Sequence, residues 1–567
     1  MSEKWKFSIS RRATLAGLAG TTVLSALPAT GFAHECADDP VFRHGVASGD
    51  PTHHSVVLWT RIEPGFAEGD IAWEMALDLD FAEIVARGLA RTGAERDYTV
   101  KILAGGLEPG RRYYYRFHKG TATSVTGRTL TIPAGRLDRL SIALASCSNY
   151  AFGFFNAYDA IARDAAVDFV LHTGDYIYEY GADGWGGAVS HRIGRVHEPA
   201  HEIVSLDDYR QRHAQYKRDA GSKAMHAAHP LLACWDDHES ANNPWTGGAQ
   251  NHQAETEGDW IARRAASIQA YYEWMPVREP EWLAEKSRSR MEFWRSYSFG
   301  DLATLVTLET RHTARAKQID YLEYAETITS ANDAAALRDV VIGAPGRAML
   351  ASGLETDLSV ALVASVKAGQ PWRLIGNPMP IARMPVPDLV GMHVLPDPSL
   401  DPDASLAARA LAWKGKWNLP FYTDTWDGYP WARQRLYDLA RKCGADDLIF
   451  LTGDSHSFWA NVLADDHGRP AGVELGTSGI SSPGDFMDSG FGPKLSSSLD
   501  QAFADNLPEV VWTDNMHNGY VRLDLERRGA LASFVTVDTV LSREYRPGIL
   551  RRYAIRAENG QLKLELA

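Results

Sequence analysis

This chain of 567 residues has few cysteines and no excess of positive charge. Its four cysteines, at positions 36, 147, 234 and 443, lie far apart, which excludes a small scaffold held together by disulfides. Asp and Glu (72) outnumber Lys and Arg (58), so the formal net charge is −14. This acidic balance argues against a nucleic-acid backbone as the main partner, and we expect no nucleic-acid-binding surface.

A long apolar run that would span a bilayer is also missing, because the apolar stretch near the N-terminus is short and rich in Ala, Gly and Thr. Residues 1–33 have a basic start, this apolar middle and a small-residue end, which is the layout of an export signal. Arg11 and Arg12 precede the apolar stretch as in twin-arginine signals, with a general secretory signal as the alternative. We predict cleavage after Ala33, export by the twin-arginine machinery, and a periplasmic or secreted protein without a stable membrane anchor.

The length exceeds what one hydrophobic core usually supports, so we expect at least two domains. Residues 41–133 contain short alternating runs separated by turn signals, which predicts a small β-sandwich of the fibronectin type III kind. From residue 139 to 540, apolar strands alternate with helical segments, which predicts an α/β domain. Ser205 is the predicted N-cap of one of these helices. Residues 541–567 are assigned to a C-terminal extension.

Several apolar segments of the α/β region are predicted to be buried strands, and four of them end in polar residues. The predicted strands are 140–146, 168–175, 229–239, 298–310 and 446–456. The carboxyl ends of strands in α/β sheets form the crevice that binds ligands. Four strand ends bring together Cys, Asp, Tyr and His side chains, and burying so many ionisable groups is costly unless a cation compensates them. The sequence therefore predicts a metal centre.

Six motifs carry a resemblance to a known family. They are FRHGVASGDP (42–51), ASCS (145–148), HTGDYIYEY (172–180), CWDDHESANN (234–243), TGDSHSFW (452–459) and GTSGISSPG (476–484). In type and order they resemble the alkaline phosphatase D family of metallophosphoesterases, over nearly the whole mature chain. The resemblance implies a four-layer α/β/β/α metallophosphoesterase domain, preceded by a fibronectin-III-like β-sandwich, and a site that holds Fe³⁺ and Ca²⁺.

The donor types favour these two ions. A thiolate and a phenolate are strongly donating anions that suit a trivalent iron, so Cys147 and Tyr178 are predicted iron ligands. Asp175, three residues before Tyr178, is predicted to bridge the iron and a second, oxygen-ligated cation. By resemblance, residues of the DHE and GDSH motifs complete the set, and their division between the ions stays open. The predicted metal ligands are Cys147, Asp175, Tyr178, Asp237, Asn243, Asp454 and His456.

Two residues are predicted to act on the substrate. His238 is predicted to protonate the leaving alkoxide, and a structural histidine held by Asp236 is the alternative. Arg311 is predicted to contact the phosphate in a bidentate manner, and a surface ion pair is the alternative.

The predicted activity is hydrolysis of small-molecule phosphomonoesters and phosphodiesters by metal-activated water. A phospholipase-like diesterase is ranked lower, because no amphipathic membrane helix is visible in the sequence. A non-catalytic periplasmic binder of phosphate or metal is ranked lower as well, because every ligand position that we matched is occupied.

Overall fold

The computed structural model describes residues 39–283, 288–558 and 560–567. The predicted export signal and Cys36 lie outside the described residues. Within these ranges, no helix has the length and apolarity that crossing a membrane requires.

The largest sheet, which we call the large sheet, has ten strands. In spatial order they are Gln561–Leu566, Pro547–Glu558, Gly529–Val537, Asn518–Glu526, Arg139–Ala145, Phe169–His172, Leu231–Ala233, Val46–Gly49, Ser55–Arg61 and Thr99–Gly105. Three central strands run parallel and end level with one another, because His172 pairs with both Ala145 and Ala233. The loops that follow them therefore leave the same edge of the sheet.

A second sheet lies against the large sheet. In spatial order its strands are Ser296–Phe299, Ala303–Thr307, Trp372–Asn377, Leu448–Thr452, Pro470–Gly476, Phe458–Ala464 and Val510–Asp514. Leu144 and Leu171 of the large sheet share one buried apolar cluster with Leu374 and Leu451 of the second sheet. The two sheets thus pack face to face through this cluster.

Helices pack on the other faces of both sheets. Along each strand successive side chains point to opposite faces, so Val170 and Ile375, next to residues of the inter-sheet cluster, point outward. Val170 packs with Ile161 of one helix, and Ile375 packs with Leu358 of another. The α-helices in the described residues are Asn156–Arg163, Gly187–Ile193, Leu206–Lys217, Ala220–Ala228, Ala254–Glu257, Trp260–Trp274, Ala331–Ala336, Ser352–Lys367, Leu406–Trp417, Pro430–Lys442, Asp485–Asp488 and Gly492–Asn506. Burial on both faces explains why these strands read as continuous apolar runs.

The N-terminal region is rich in β-structure, and it shares a sheet with the α/β region. Its small sheet consists of the strands Ile84–Ala90, Ile71–Ala76, Arg112–Lys119, Ala122–Thr123 and Gly127–Leu130. Three further strands extend the large sheet, and Gly49 pairs in parallel with Leu231 across the junction. At the opposite edge, the two strands between Pro547 and Leu566 also belong to the large sheet. Sheet pairing therefore joins the predicted N-terminal domain and C-terminal extension to the α/β region.

One strand prediction is wrong in its details. The segment 298–310 is part of a hairpin, in which Ser296–Phe299 and Ala303–Thr307 pair antiparallel. Gly300 adopts a φ of 51° at the turn, a conformation that glycine reaches without strain. A second, two-stranded hairpin of Pro244–Trp245 and Gly248–Ala249 follows the DHE motif.

Candidate metal centre

The predicted site lies where the strand ends of the two sheets meet. Cys147 follows the large-sheet strand that ends at Ala145, Asp175 follows the strand that ends at His172, and Asp454 follows a strand of the second sheet. A backbone hydrogen bond from Ile480 to the Ser146 carbonyl (2.9 Å) ties the GTSGISSPG loop to the same place. Residues that are hundreds of positions apart in the chain are thereby brought into contact.

Four of the predicted ligands form one compact group. The Cys147 Sγ lies 3.5 Å from Asp175 Oδ2, and the Tyr178 hydroxyl lies 3.1 Å from the same oxygen. The Tyr178 hydroxyl is also 3.3 Å from His456 Nε2. Donor atoms of Cys147, Asp175 and His456 all lie within 4.8 Å of one another, which is close enough to share one ion.

The other predicted ligands gather around a buried guanidinium. Arg311 is fully buried, so the surface ion pair considered above is wrong. Its Nη2 donates to Asp454 Oδ1 (3.0 Å), its Nε donates to Asp236, and its Nη1 makes a long contact of 3.4 Å to Asn243 Oδ1. Asp237 Oδ1 lies 3.6 Å from Nη2. A single positive charge thus faces three carboxylates.

His238 pairs with a glutamate that sequence reasoning had not singled out. Its Nδ1 lies 2.6 Å from Glu179 Oε2, whereas its Nε2 lies 3.9 Å from Asp237 Oδ2. Glu179 is fully buried and its other oxygen accepts hydrogen bonds from Asn242 and Asn251. The partner of His238 is therefore Glu179, and Asp236 instead binds Arg311. Glu179 directly follows the predicted ligand Tyr178 in the GDYIYEY motif. This neighbouring position is the sequence signal that could have marked Glu179 as a residue of the site.

Glu239, the last residue of the DHE motif, holds two of the loops together. Its carboxylate accepts the backbone N–H groups of Asp175 (3.1 Å), Tyr176 and Asp236 (2.7 Å). Ser482 of the GTSGISSPG loop donates to the Tyr178 hydroxyl at 3.0 Å. Glu239 and Ser482 both lie in motifs that carry the family resemblance, but the GDYIYEY residues that they contact are remote in the chain.

Protonation of the centre is governed by burial. Burial, followed by the neighbouring Asp237, raises the pKa of Asp175 well above its usual value. Burial and the charge of Asp175 raise the pKa of the Cys147 thiol and of the Tyr178 phenol in the same direction. These groups become strong anionic ligands only if a nearby positive charge offsets the desolvation.

His238 and Asp237 stabilise each other's charges. Burial acts to raise the pKa of Asp237, but His238 and Arg311 outweigh it and lower that pKa well below its usual value. Burial acts to lower the pKa of His238, but Asp237 and Glu179 outweigh it and raise that pKa. Protonation of His238 is therefore favoured by Asp237 and Glu179.

The arrangement fits bound cations. Asp236 Oδ2 and Asp237 Oδ1 are buried and have no hydrogen-bond partner, although buried carboxylate oxygens are normally satisfied. Carboxylate oxygens of Asp175, Asp236, Asp237 and Asp454 lie within 4.8 Å of one another. The Arg311 guanidinium and the His238 imidazole together do not balance these four carboxylates and Glu179. Asp236 joins the candidate ligands here, although the sequence had offered it only as a partner for His238.

The chain is similar in sequence and in structure to known proteins. The sequence matches the PhoD-like phosphatase family over residues 142–534 and the N-terminal domain of PhoD-like phosphatases over residues 28–133. This chain belongs to the PhoD-like phosphatase family. Alkaline phosphatase D of Bacillus subtilis (strain 168) is 32% identical over 497 residues, which cover 85% of this chain and 75% of that protein. A solved structure of PhoD matches with a TM-score of 0.72 at 28% identity, covering 93% of this chain and 92% of that chain.

Membership of the PhoD-like phosphatase family confirms the resemblance drawn from the motifs. It shows that the chain is a phosphoric ester hydrolase, and the structural match shows a mixed α/β fold with a β-rich N-terminal region. The stretch that matches the catalytic family contains every residue of the candidate centre described above.

Proposed function

We propose that this PhoD-like phosphatase is a metal-dependent hydrolase that cleaves both phosphomonoesters and phosphodiesters. The observation that carries the proposal is the convergence of Cys147, Asp175, Tyr178 and His456 on one buried point. A thiol, a carboxyl, a phenol and an imidazole have little reason to be buried together unless they bind an ion.

We propose Fe³⁺ and Ca²⁺ as the ions. Cys147, Tyr178 and His456 would hold the iron, Asp175 would lie between the two ions, and the carboxylate and amide oxygens near Arg311 would hold the calcium. Those oxygens belong to Asp237, Asn243 and Asp454. When bound, the ions would polarise the phosphoryl oxygens and make the attacking water more acidic.

The chain's own residues supply the remaining chemistry in this proposal. His238, held through Nδ1 by Glu179, keeps Nε2 for donation of a proton to the leaving oxygen. Arg311 anchors the carboxylates through Nε and Nη2, and its weakly engaged Nη1 is the nitrogen best able to reach a phosphoryl oxygen. These contacts support the predicted role of His238. For Arg311 they support a contact through Nη1 alone instead of the bidentate contact that the sequence suggested.

We also propose the layer order of the α/β domain, the type of the N-terminal β-domain and the cellular location of the protein. The clusters on both faces of each sheet support a four-layer α/β/β/α domain, and the packing of Val56 and Leu58 against Tyr115 supports a fibronectin-III-like sandwich before it. The arginine pair at positions 11 and 12 supports twin-arginine export to the periplasm or beyond.

Replacement of the central carboxylate tests the function. Asp175→Asn should lose bound iron and calcium and should reduce turnover of an aryl phosphomonoester and an aryl phosphodiester by about 1,000-fold or more, because a neutral amide neither bridges two cations nor offsets their charge. Elemental analysis and steady-state kinetics on protein exported in native form measure both effects. Asp403→Asn, an exposed acid outside the site, is the control. Full activity in Asp175→Asn, or in metal-free protein, would contradict the proposal.

A further inference from the structure

A tryptophan lies over the metal centre without belonging to the predicted ligand set. Trp185 is half-buried and follows the GDYIYEY motif in a glycine-rich loop. Its ring is nearly parallel to His456 (centroids 5.3 Å apart, 20° between planes) and to His238 (6.5 Å, 19°). It also contacts the Tyr178 ring at 5.6 Å. A large flat apolar surface thus borders a site that is otherwise polar.

The ring is held in this place from several directions. Its Nε1 donates to Asp488 Oδ2 at 3.0 Å, which links the loop to the short helix Asp485–Asp488. The Phe152 ring packs edge-on against it at 4.7 Å. Gly186 has a φ of 91°, and a Cβ there would meet Ala151 at 2.9 Å, so the loop needs glycine to approach so closely. An indole fixed by these contacts is a preformed surface for another flat ring.

We propose that Trp185 stacks on the leaving group of the ester, and that the enzyme therefore prefers leaving groups with a flat aromatic ring, such as aryl or nucleoside esters. This inference rests on the proposed function, since it takes His238 as the residue beside the leaving oxygen. The indole is nearly parallel to the His238 ring, with centroids 6.5 Å apart, so a flat group attached to that oxygen would lie within reach of the indole. Stacking of a base on an aromatic side chain changes affinity by roughly 5- to 150-fold.

Two esters that differ in aromaticity test the inference. Benzyl phosphate and cyclohexylmethyl phosphate have leaving alcohols of similar size and basicity, but only the first has a flat ring. We expect the unmodified enzyme to favour benzyl phosphate in kcat/KM, and Trp185→Ala to lose about 10-fold on benzyl phosphate with little change on the other ester. Trp185→Phe should retain most of the preference. Benzylphosphonate, which contains no ester bond to cleave, should bind Trp185→Ala about 10-fold more weakly in calorimetry.

Asp488→Asn is the matched variant, because it keeps the indole and weakens only its hydrogen bond. We expect a smaller loss in the same direction. Equal losses on both esters in Trp185→Ala, or faster hydrolysis of both, would overturn the inference, because the ring would then act as packing or as a cover. Hydrolysis of no phosphate ester by the unmodified protein with its metals bound would instead contradict the proposed function. Circular dichroism and metal content check that the variants are folded and loaded.

Discussion

At the scale of single residues, the candidate centre is marked by unusual backbone conformations. Five of the seven predicted ligands have a positive φ: Cys147 (60°), Asp175 (55°), Asn243 (51°), Asp454 (66°) and His456 (54°). The left-handed region costs a residue with a Cβ about 1 kcal/mol or more, so it persists only where neighbouring structure enforces it. At Cys147, Asp175 and Asp454 it turns the chain within two or three residues of a strand end, which helps the donor atoms to face a common point.

A buried acid outside the centre makes stability depend on pH. Asp427 is nearly inaccessible, its Oδ2 accepts the Met384 N–H at 3.0 Å, and burial raises its pKa to about 6. Between its unfolded value near 4 and pH 6 the folded chain keeps a proton that the unfolded chain releases, so stability falls as the pH rises through this window and stays low above it.

Asp427→Asn should remove this dependence. Relative to the unmodified protein, its free energy of unfolding should gain about 3 kcal/mol between pH 4 and pH 8, since each pKa unit corresponds to about 1.4 kcal/mol. Guanidinium denaturation at pH 4, 6 and 8 measures the difference, with the exposed Asp403→Asn as the control. Stability profiles that run parallel across this range would argue against a buried neutral carboxyl at position 427.

At the scale of elements, one helix links a local sequence signal to the site. The predicted N-cap at Ser205 is confirmed: its Oγ accepts the Asp208 N–H (3.3 Å), and the Asp208 carboxylate accepts the Ser205 N–H (2.8 Å). The helix that begins there, Leu206–Lys217, carries the fully buried Arg212, whose guanidinium donates to the Tyr178 and Pro199 carbonyls. The cap therefore stabilises a helix that holds the backbone of Tyr178 in the candidate centre.

Removal of this cap should weaken the helix locally. Ser205→Ala should lower the free energy of unfolding by about 1 kcal/mol, and Ser205→Asn should restore most of it, because asparagine also accepts the orphan N–H group. Hydrogen exchange of the amides near the helix N-terminus, together with chemical denaturation, measures the change. Unchanged exchange in Ser205→Ala would mean that packing alone holds this end of the helix.

At the scale of the whole molecule, a buried charge cluster ties the N-terminal region to both sheets. Asp50 follows a strand of the large sheet, and its carboxylate accepts hydrogen bonds from the Arg278 backbone N–H (2.8 Å), Arg295 Nε (2.9 Å) and the Tyr297 hydroxyl (3.1 Å). Tyr297 belongs to the second sheet. Although burial acts to raise the pKa of Asp50, Arg295 and Arg278 lower it, so the acid is ionised among its partners.

Asp50→Ala should therefore destabilise the entire protein. Because it leaves the buried Arg295 and Arg278 without their carboxylate, we expect a loss of about 3–5 kcal/mol in a single cooperative unfolding transition. Asp70→Ala, which breaks an ion pair with the exposed Arg91, should leave stability nearly unchanged. Denaturation followed by both tryptophan fluorescence and circular dichroism measures this. Separate transitions for the N-terminal and catalytic regions would contradict the coupling.

The sequence by itself determined the features that depend on neighbours along the chain. The buried strands that end before Cys147, Asp175 and Asp454 are visible as apolar runs, and the cap at Ser205 is visible as a local pattern. The family was recognisable from the sequence because each of its motifs is a continuous stretch of the chain. The turn at Gly300 within a predicted strand also had a local signal, a glycine followed by an acid, which the apolar run on either side masked.

Only the tertiary structure decided which distant residues meet. Arg311 among the carboxylates, Glu179 on His238, Trp185 bound to Asp488, and Asp50 between two arginines are all pairs separated by tens to hundreds of positions. Such contacts depend on strand register and on how two sheets pack, and neither leaves a periodic signal in the chain. The same is true of the large sheet, in which the Gly49 strand joins the catalytic strands because both faces of that sheet must be buried at once.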